Sequence, residues 1–207
     1  MNEHVPVMAD EVLAALEPWE NVKLLVDATL GLGGHAGKVL ANCHNAHLLG
    51  FDQDPYARKI AAENLAEFDG RFEIEADNFR HIEKLLERDG WQGADAVFFD
   101  LGVSNLQITE AERGFSFQED GPLDMRMDCQ GGLTAEKILN EWDIPELTRI
   151  FREYGEDRFA WQLAKGIVRS RERGGELHTT GELVELIRRI LPEPVQRKMG
   201  GHPARHV

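Results

Sequence analysis

The stretch VDATLGLGGHAGK, Val26 to Lys38, sets four glycines within seven positions directly after an apolar run. A triphosphate loop needs G-x-x-x-x-G-K-[ST], in which backbone amides cradle phosphates and the hydroxyl binds magnesium. Gly37 and Lys38 supply its end, but Leu32 stands at the first glycine and Val39 at the hydroxyl, so that reading fails. A dinucleotide fingerprint fits better. Gly31, Gly33 and Ala36 satisfy G-x-G-x-x-[GA], and Asp52 lies about 20 residues on, where a carboxylate accepts ribose hydroxyls. The same turn serves any adenosine ligand, so the surrounding charge must discriminate. Asp27, Asp52, Asp54, Asp77 and Asp100 all fall at or near the ends of apolar runs. Such acidity suits S-adenosylmethionine (SAM), a sulfonium cation without a pyrophosphate, and opposes the phosphates of NAD. The plainer role of each Asp is a turn or helix cap, and Asp54 before Pro55 reads as one.

Asp100 opens DLGVSNLQ, where a group reacting with the donor would sit. An exocyclic amine on a nucleobase is a poor nucleophile, its lone pair being delocalised into the ring. A carboxylate accepting its N–H bonds localises that pair and takes up the developing positive charge. Asp100 fits that role, with Ser104 and Gln107 orienting the base.

The elements that must position these groups are legible as alternation. KLLVDATL, AHLLGFD, RFEIEAD and ADAVFFDLG read as strands, separated by the helical segments GKVLANC, DPYARKIAAENLAEF and FRHIEKLLERDG. That order predicts an α/β fold with parallel strands and ligands beyond their carboxyl ends. From Leu106 to about Gly132 the chain reads as a long irregular loop, a length that usually marks function. Helices follow: LTAEKILNEW with Thr134 as N-cap, IPELTRIFREYG, EDRFAWQLAKGIVRSRER, and TTGELVELIRRIL with an apolar stripe.

Composition narrows the class. With 42% hydrophobic residues in 207, the chain can build a core. It has no run of 18 apolar residues and no secretory pattern at its start, so a cytoplasmic protein without membrane contact is expected. Cys43 and Cys129 read as ordinary thiols, and no spacing suggests a metal. The net charge is −14, unevenly spread. Residues 1–147 hold 11 Lys and Arg against 29 Asp and Glu, whereas residues 148–207 hold 12 against 8, so a polyanion should approach the C-terminal part.

Together these segments resemble the RsmH (MraW) family of bacterial ribosomal RNA methyltransferases. HVPVMADEV, DATLGLGGH, DQDP and DLGVSNLQ match its motifs in order, and ERGFSFQEDGPLDMRMD matches its longest one. Similarity continues through YGEDRFAWQLAKGIV to HPARHV, covering essentially the whole chain. The resemblance implies a Rossmann-like SAM-dependent methyltransferase core with an inserted all-helical domain, acting on the N4 amine of a cytidine in the decoding centre of small-subunit (16S) ribosomal RNA. It implies a SAM-binding core over residues 1–105, holding the first four strands of an incomplete parallel sheet, and a loop plus helical RNA-recognition domain over 106–207. Carried over by motif, the cofactor contacts are Gly33, Gly34, His35, Asp52, Phe79, Asp100 and Gln107, with Asp100 also catalytic. His35 and Phe79 come from the resemblance alone; the residues themselves suggest a turn histidine and a core phenylalanine.

The resemblance also gives Asp124, Arg126 and Asp128 a role in ordering a loop over the target base, Arg126 meeting an RNA phosphate or a neighbouring Asp. Partners are then small-subunit ribosomal RNA or the assembled small subunit. Two departures stand out: Asn105 and Leu106 replace the family's Ser and Pro beside the reacting centre, and the sequence stops at Val207 inside a motif that family members continue. For a chain complete at 207 residues the expectation is a sheet edge open to self-association and a weakly active or purely SAM- and RNA-binding form; the alternative is a fragment or truncated product of a competent enzyme. A nicotinamide oxidoreductase is the remaining alternative.

Overall fold

A computed structural model of the chain describes residues 6–129 and 131–191, with the side chains of Asn105 and Leu106 outside that description. The motif His4-Val5 and the segments PEPVQRK and HPARHV lie outside the described residues. The chain divides after Gly102 into two compact units.

The first unit is built on four parallel strands, β1 (Leu24–Asp27), β2 (His47–Phe51), β3 (Phe72–Glu75) and β4 (Ala96–Phe98), in the order β3-β2-β1-β4. Each lies inside an apolar run read from the sequence, as expected for parallel strands whose two faces are both covered. On one face Leu25 and Leu48 pack with Val39, Leu40 and Leu65. That face carries α1 (Ala9–Ala15), α2 (Gly34–Asn42) and α3 (Pro55–Asn64). On the other, Leu24, Val26, Leu49 and Phe51 pack with Leu85 of α4 (Ile82–Arg88). Each fully buried Leu or Phe of this kind stabilises the fold by about 1.5–3 kcal/mol. Asp54 caps α3, accepting from the Tyr56 amide at 2.9 Å. The Arg71 guanidinium reaches the carbonyls of Leu40, Cys43 and Ala46, serving acceptors that the end of α2 leaves open.

The α1 helix is not evident from the alternation, because its apolar positions Val12, Leu13 and Leu16 are spread along a short acidic segment. The expected continuous loop from Leu106 is also interrupted. A short helix α5 (Asn105–Thr109) starts there, because Ser104 and Gln107 cap it reciprocally. The Ser104 amide donates to Gln107 Oε1 at 3.0 Å and the Gln107 amide to Ser104 Oγ at 3.2 Å.

The second unit holds α5 and four longer helices: α6 (Ala135–Glu141), α7 (Ile144–Glu153), α8 (Ala160–Arg171) and α9 (Thr180–Ile190). Their core is Leu139, Leu147, Phe151, Leu163, Ile167 and Ile187 with neighbours. Thr134 caps α6 as expected, while Asp143–Glu146 and Thr179–Glu182 form capping boxes on α7 and α9. The GFSFQEDGPLD loop is pinned to α9: Thr180 donates its amide to the Gly121 carbonyl at 2.8 Å, and Asp120 accepts from the Gly181 amide at 2.8 Å. Two glycines let the arms of this loop cross. A Cβ on Gly114 would meet the Pro122 carbonyl oxygen, and one on Gly121 that of Ala111.

Candidate functional site

The strand order reverses between β1 and β4, since β2 and β3 lie on one side of β1 and β4 on the other. In open α/β sheets ligands bind beyond the carboxyl ends of the strands at such a switch point. Asp27 ends β1, Asp52 follows β2, Asp77 and Phe79 follow β3, and Asp100 follows β4. The parallel register puts these ends on one side of the first unit.

The turn after β1 is shaped by its glycines. Gly33 caps α2 at φ 81°, where a side chain is strained, and a Cβ there would press within 3.3 Å of Leu65. Asp52 ties the turn down from β2. Its Oδ2 accepts from the Gly31 amide at 2.8 Å and its Oδ1 from the Asp54 amide at 2.8 Å. Burial raises its pKa, and those two bonds oppose the rise. Both oxygens keep further lone-pair capacity for a hydroxyl.

Asp27 is the most costly group of the set. It is 1% exposed, and burial raises its pKa to about 7. The Thr29 amide, at 3.1 Å, opposes that rise, while Asp52 and Asp100 add to it. Three carboxylates thus converge; the Arg58 guanidinium, bonded to the Asp52 carbonyl at 2.8 Å, partly offsets Asp52. His35, in the first turn of α2, packs against the Phe98 ring at 4.6 Å, and its Nε2 stands 3.7 Å from Asp100 Oδ2. That separation is too long for a hydrogen bond, and Nε2 is buried without a partner among the described residues. Burial lowers the His35 pKa more than Asp100 raises it. The imidazole is therefore neutral near pH 7, and the pair is no salt bridge.

Asp100 is half exposed and donates its own amide to Thr29 Oγ1 at 2.6 Å. Phe79 is not core, being 36% exposed and edge-to-face with Phe99 at 5.5 Å. Two apolar rings therefore lie open at the ends of β3 and β4. Asp77 is occupied locally, bonding His81 Nδ1 at 2.8 Å and the Asn78 amide at 2.7 Å, which lowers its pKa.

In the second unit Ser104 and Gln107 cap α5 as described. The Arg126 guanidinium clamps Asp124, Nη2 to Oδ2 at 2.6 Å and Nε to Oδ1 at 2.9 Å. Arg126 thus pairs with the neighbouring Asp124, one of its two expected partners. The bond from Arg126 lowers the Asp124 pKa. Arg113 holds the next turn by donating to the Arg126 carbonyl at 3.0 Å. Spacing alone does not reveal this clamp, since Asp124, Arg126 and Asp128 lie two residues apart and either acid could pair.

The charge deficit at the strand ends tests a cationic cofactor. Among the described residues no cation offsets Asp27 and His35 Nε2 has no partner, and the rings of Phe79 and Phe99 lie open after β3 and β4. These residues suit a ligand with positive charge and an aromatic face.

A family model described as the MraW methylase family matches residues 1–207. A ribosomal RNA small subunit methyltransferase H of Nocardioides sp. (strain ATCC BAA-499 / JS614) is 47% identical over 205 residues, which cover 98% of this chain and 63% of that protein. A protein of the same name from Mycobacterium sp. (strain KMS) is 44% identical over 210 residues, covering 98% and 55%. The chain thus spans a little over half the length of these relatives. An O-methyltransferase family protein from Burkholderia thailandensis aligns at 20% identity and TM-score 0.34, over 88% of this chain and 49% of that one.

Proposed function

We propose, for a chain that belongs to the MraW methylase family, the transfer of a methyl group from SAM to the N4 amine of a cytidine in the decoding centre of small-subunit ribosomal RNA, in the cytoplasm. The observation that carries this reading is the convergence of Asp27, Asp52 and Asp100 around a glycine turn with a neutral His35. SAM supplies a methyl group on a sulfonium, whose positive charge matches that acidity.

Asp52 accepts ribose hydroxyls while its bonds to Gly31 and Asp54 hold the turn in shape. Gly33, Gly34 and His35 present the start of α2 to the ligand, and Phe79 covers its adenine. Asp27 offsets the ligand's charge from beneath. Asp100 accepts the N–H bonds of the amine, localising its lone pair for direct displacement and stabilising the positive nitrogen that results. Gln107 and Ser104 belong to the second unit, and their part in SAM or base contacts is carried by the resemblance. Asp124 and Arg126 brace their own loop, and its part in covering the base is carried by the resemblance. The cytidine must leave its stack for its amine to react.

The test is a SAM titration beside a methyl-transfer assay on small subunits, for the wild type and Asp100→Asn. The expected result is SAM binding by both and a transfer rate lower by at least about 100-fold in the variant. Equal transfer rates contradict the role of Asp100. Binding without transfer in the wild type would make the chain a SAM- and RNA-binding protein only.

A further inference from the structure

Along α8, Trp161, Lys165 and Arg169 recur every four residues, and Arg173 extends the row just past the helix end. Such spacing puts them on one face over about 18 Å. Lys165 Nζ stands 4.4 Å from the centre of the Trp161 ring, and that ring is half exposed. At the far end Arg169 and Arg173 share a surface groove of about 480 Å³ with Ser170 and with Arg189 of α9. No carboxylate lines that groove.

Several arginines of this unit are already engaged: Arg126 and Arg149 each meet a carboxylate, and Arg171 spans the carbonyls of Leu139 and Trp142. Arg169 and Arg173 meet no carboxylate among the described residues, and Arg189 donates only to the Glu185 carbonyl at 3.4 Å. In a chain with 37 acidic residues against 23 basic ones, partners are plentiful. Favourable placement at helix C-termini accounts for Arg169 and Arg189 singly. It does not account for Arg173, or for convergence on one groove from two helices.

We propose that this face of α8, with Arg189, is the surface that grips single-stranded RNA flanking the reacting base. The groove takes backbone phosphates and Trp161 stacks on a base. Arginines supply bidentate phosphate contacts, and an aromatic ring stacks on any base without reading its sequence. The inference rests on the proposed RNA substrate and assigns the residues that hold it.

The test is fluorescence anisotropy of a single-stranded RNA of about 12 nucleotides with the full chain, between about 50 and 200 mM salt. The triple variant Arg169→Ala/Arg173→Ala/Arg189→Ala should bind at least about tenfold more weakly and lose about 2 units of the logarithmic salt slope, three contacts at about 0.7 each. Trp161→Ala should weaken binding about tenfold at unchanged slope, and Trp161→Phe should restore most of it. Inorganic polyphosphate should bind the wild type and Trp161→Ala alike but not the triple variant. SAM affinity and melting temperature should be unchanged in all variants. Wild-type RNA affinity and slope in the triple variant overturn the assignment, as does loss of polyphosphate binding with RNA binding retained. A wild type that binds SAM but no RNA overturns the RNA substrate as well.

Discussion

Asp27 carries the largest electrostatic cost in the first unit, and its sign sets a pH dependence. Its folded pKa, about 7, lies above the ordinary aspartate value of 3.8, so between the two the folded state holds a proton that the unfolded chain has released. Stability therefore falls as pH rises between those two values, by up to about 4 kcal/mol, and levels off above them. Asp27→Asn keeps an acceptor for the Thr29 amide and removes the charge. Its melting temperature should exceed the wild type's near pH 8 and converge with it near pH 4, as read by thermal denaturation. Parallel curves across that range would contradict the buried charge. His35 offers a second check. Its imidazole should titrate below the usual 6.5 by NMR, because burial outweighs Asp100. Asp100→Asn removes the influence that raises it, so the titration should move lower still; an upward shift would contradict the arrangement.

At the scale of elements, the loop between α5 and α6 has little room for substitution at its two crossing glycines. Gly114→Ala and Gly121→Ala each drive a Cβ into a backbone carbonyl oxygen that cannot move freely. Each should cost about 2–4 kcal/mol, seen as a melting temperature lower by roughly 5–10 °C. A change under about 1 °C would mean the crossing is looser than described. Arg126→Ala should lower methylation of assembled small subunits while leaving SAM affinity unchanged, and normal methylation would remove Arg126 from any RNA-facing role. β1 and β2 were legible as continuous apolar runs buried on both faces and β3 and β4 as shorter runs at regular spacing, and the ends of β1, β2 and β4 located Asp27, Asp52 and Asp100. Thr134, Asp54 and the stripe of α9 were legible from capping and period. The α5 helix was not, because a capping box of one Ser and one Gln inside a Gly- and Asp-rich stretch carries little signal. Nor was the exposure of Phe79, since an aromatic residue just after a strand reads as core until its packing against Phe99 alone is seen. The buried Nε2 of His35 needed the packing of Phe98 to be seen.

Across the whole molecule, charge and apolar surface are both unevenly distributed. β4 pairs only with β1 among the described residues, and Val97, Phe99 and Leu101 beside that edge are exposed, Leu101 by 71%. An apolar, unpaired edge invites a second strand. No helix among the described residues is long and apolar enough to cross a membrane. The excess of basic over acidic residues from 148 onward, against the acidic strand ends that suit a sulfonium, divides the proposed roles between the units. The most direct measurement of the central claim is nucleoside analysis of small-subunit ribosomal RNA incubated with the protein and labelled SAM. Label in N4-methylcytidine, abolished by Asp100→Asn, is the result this account predicts. Label on another atom, or none despite measurable SAM binding, would contradict it.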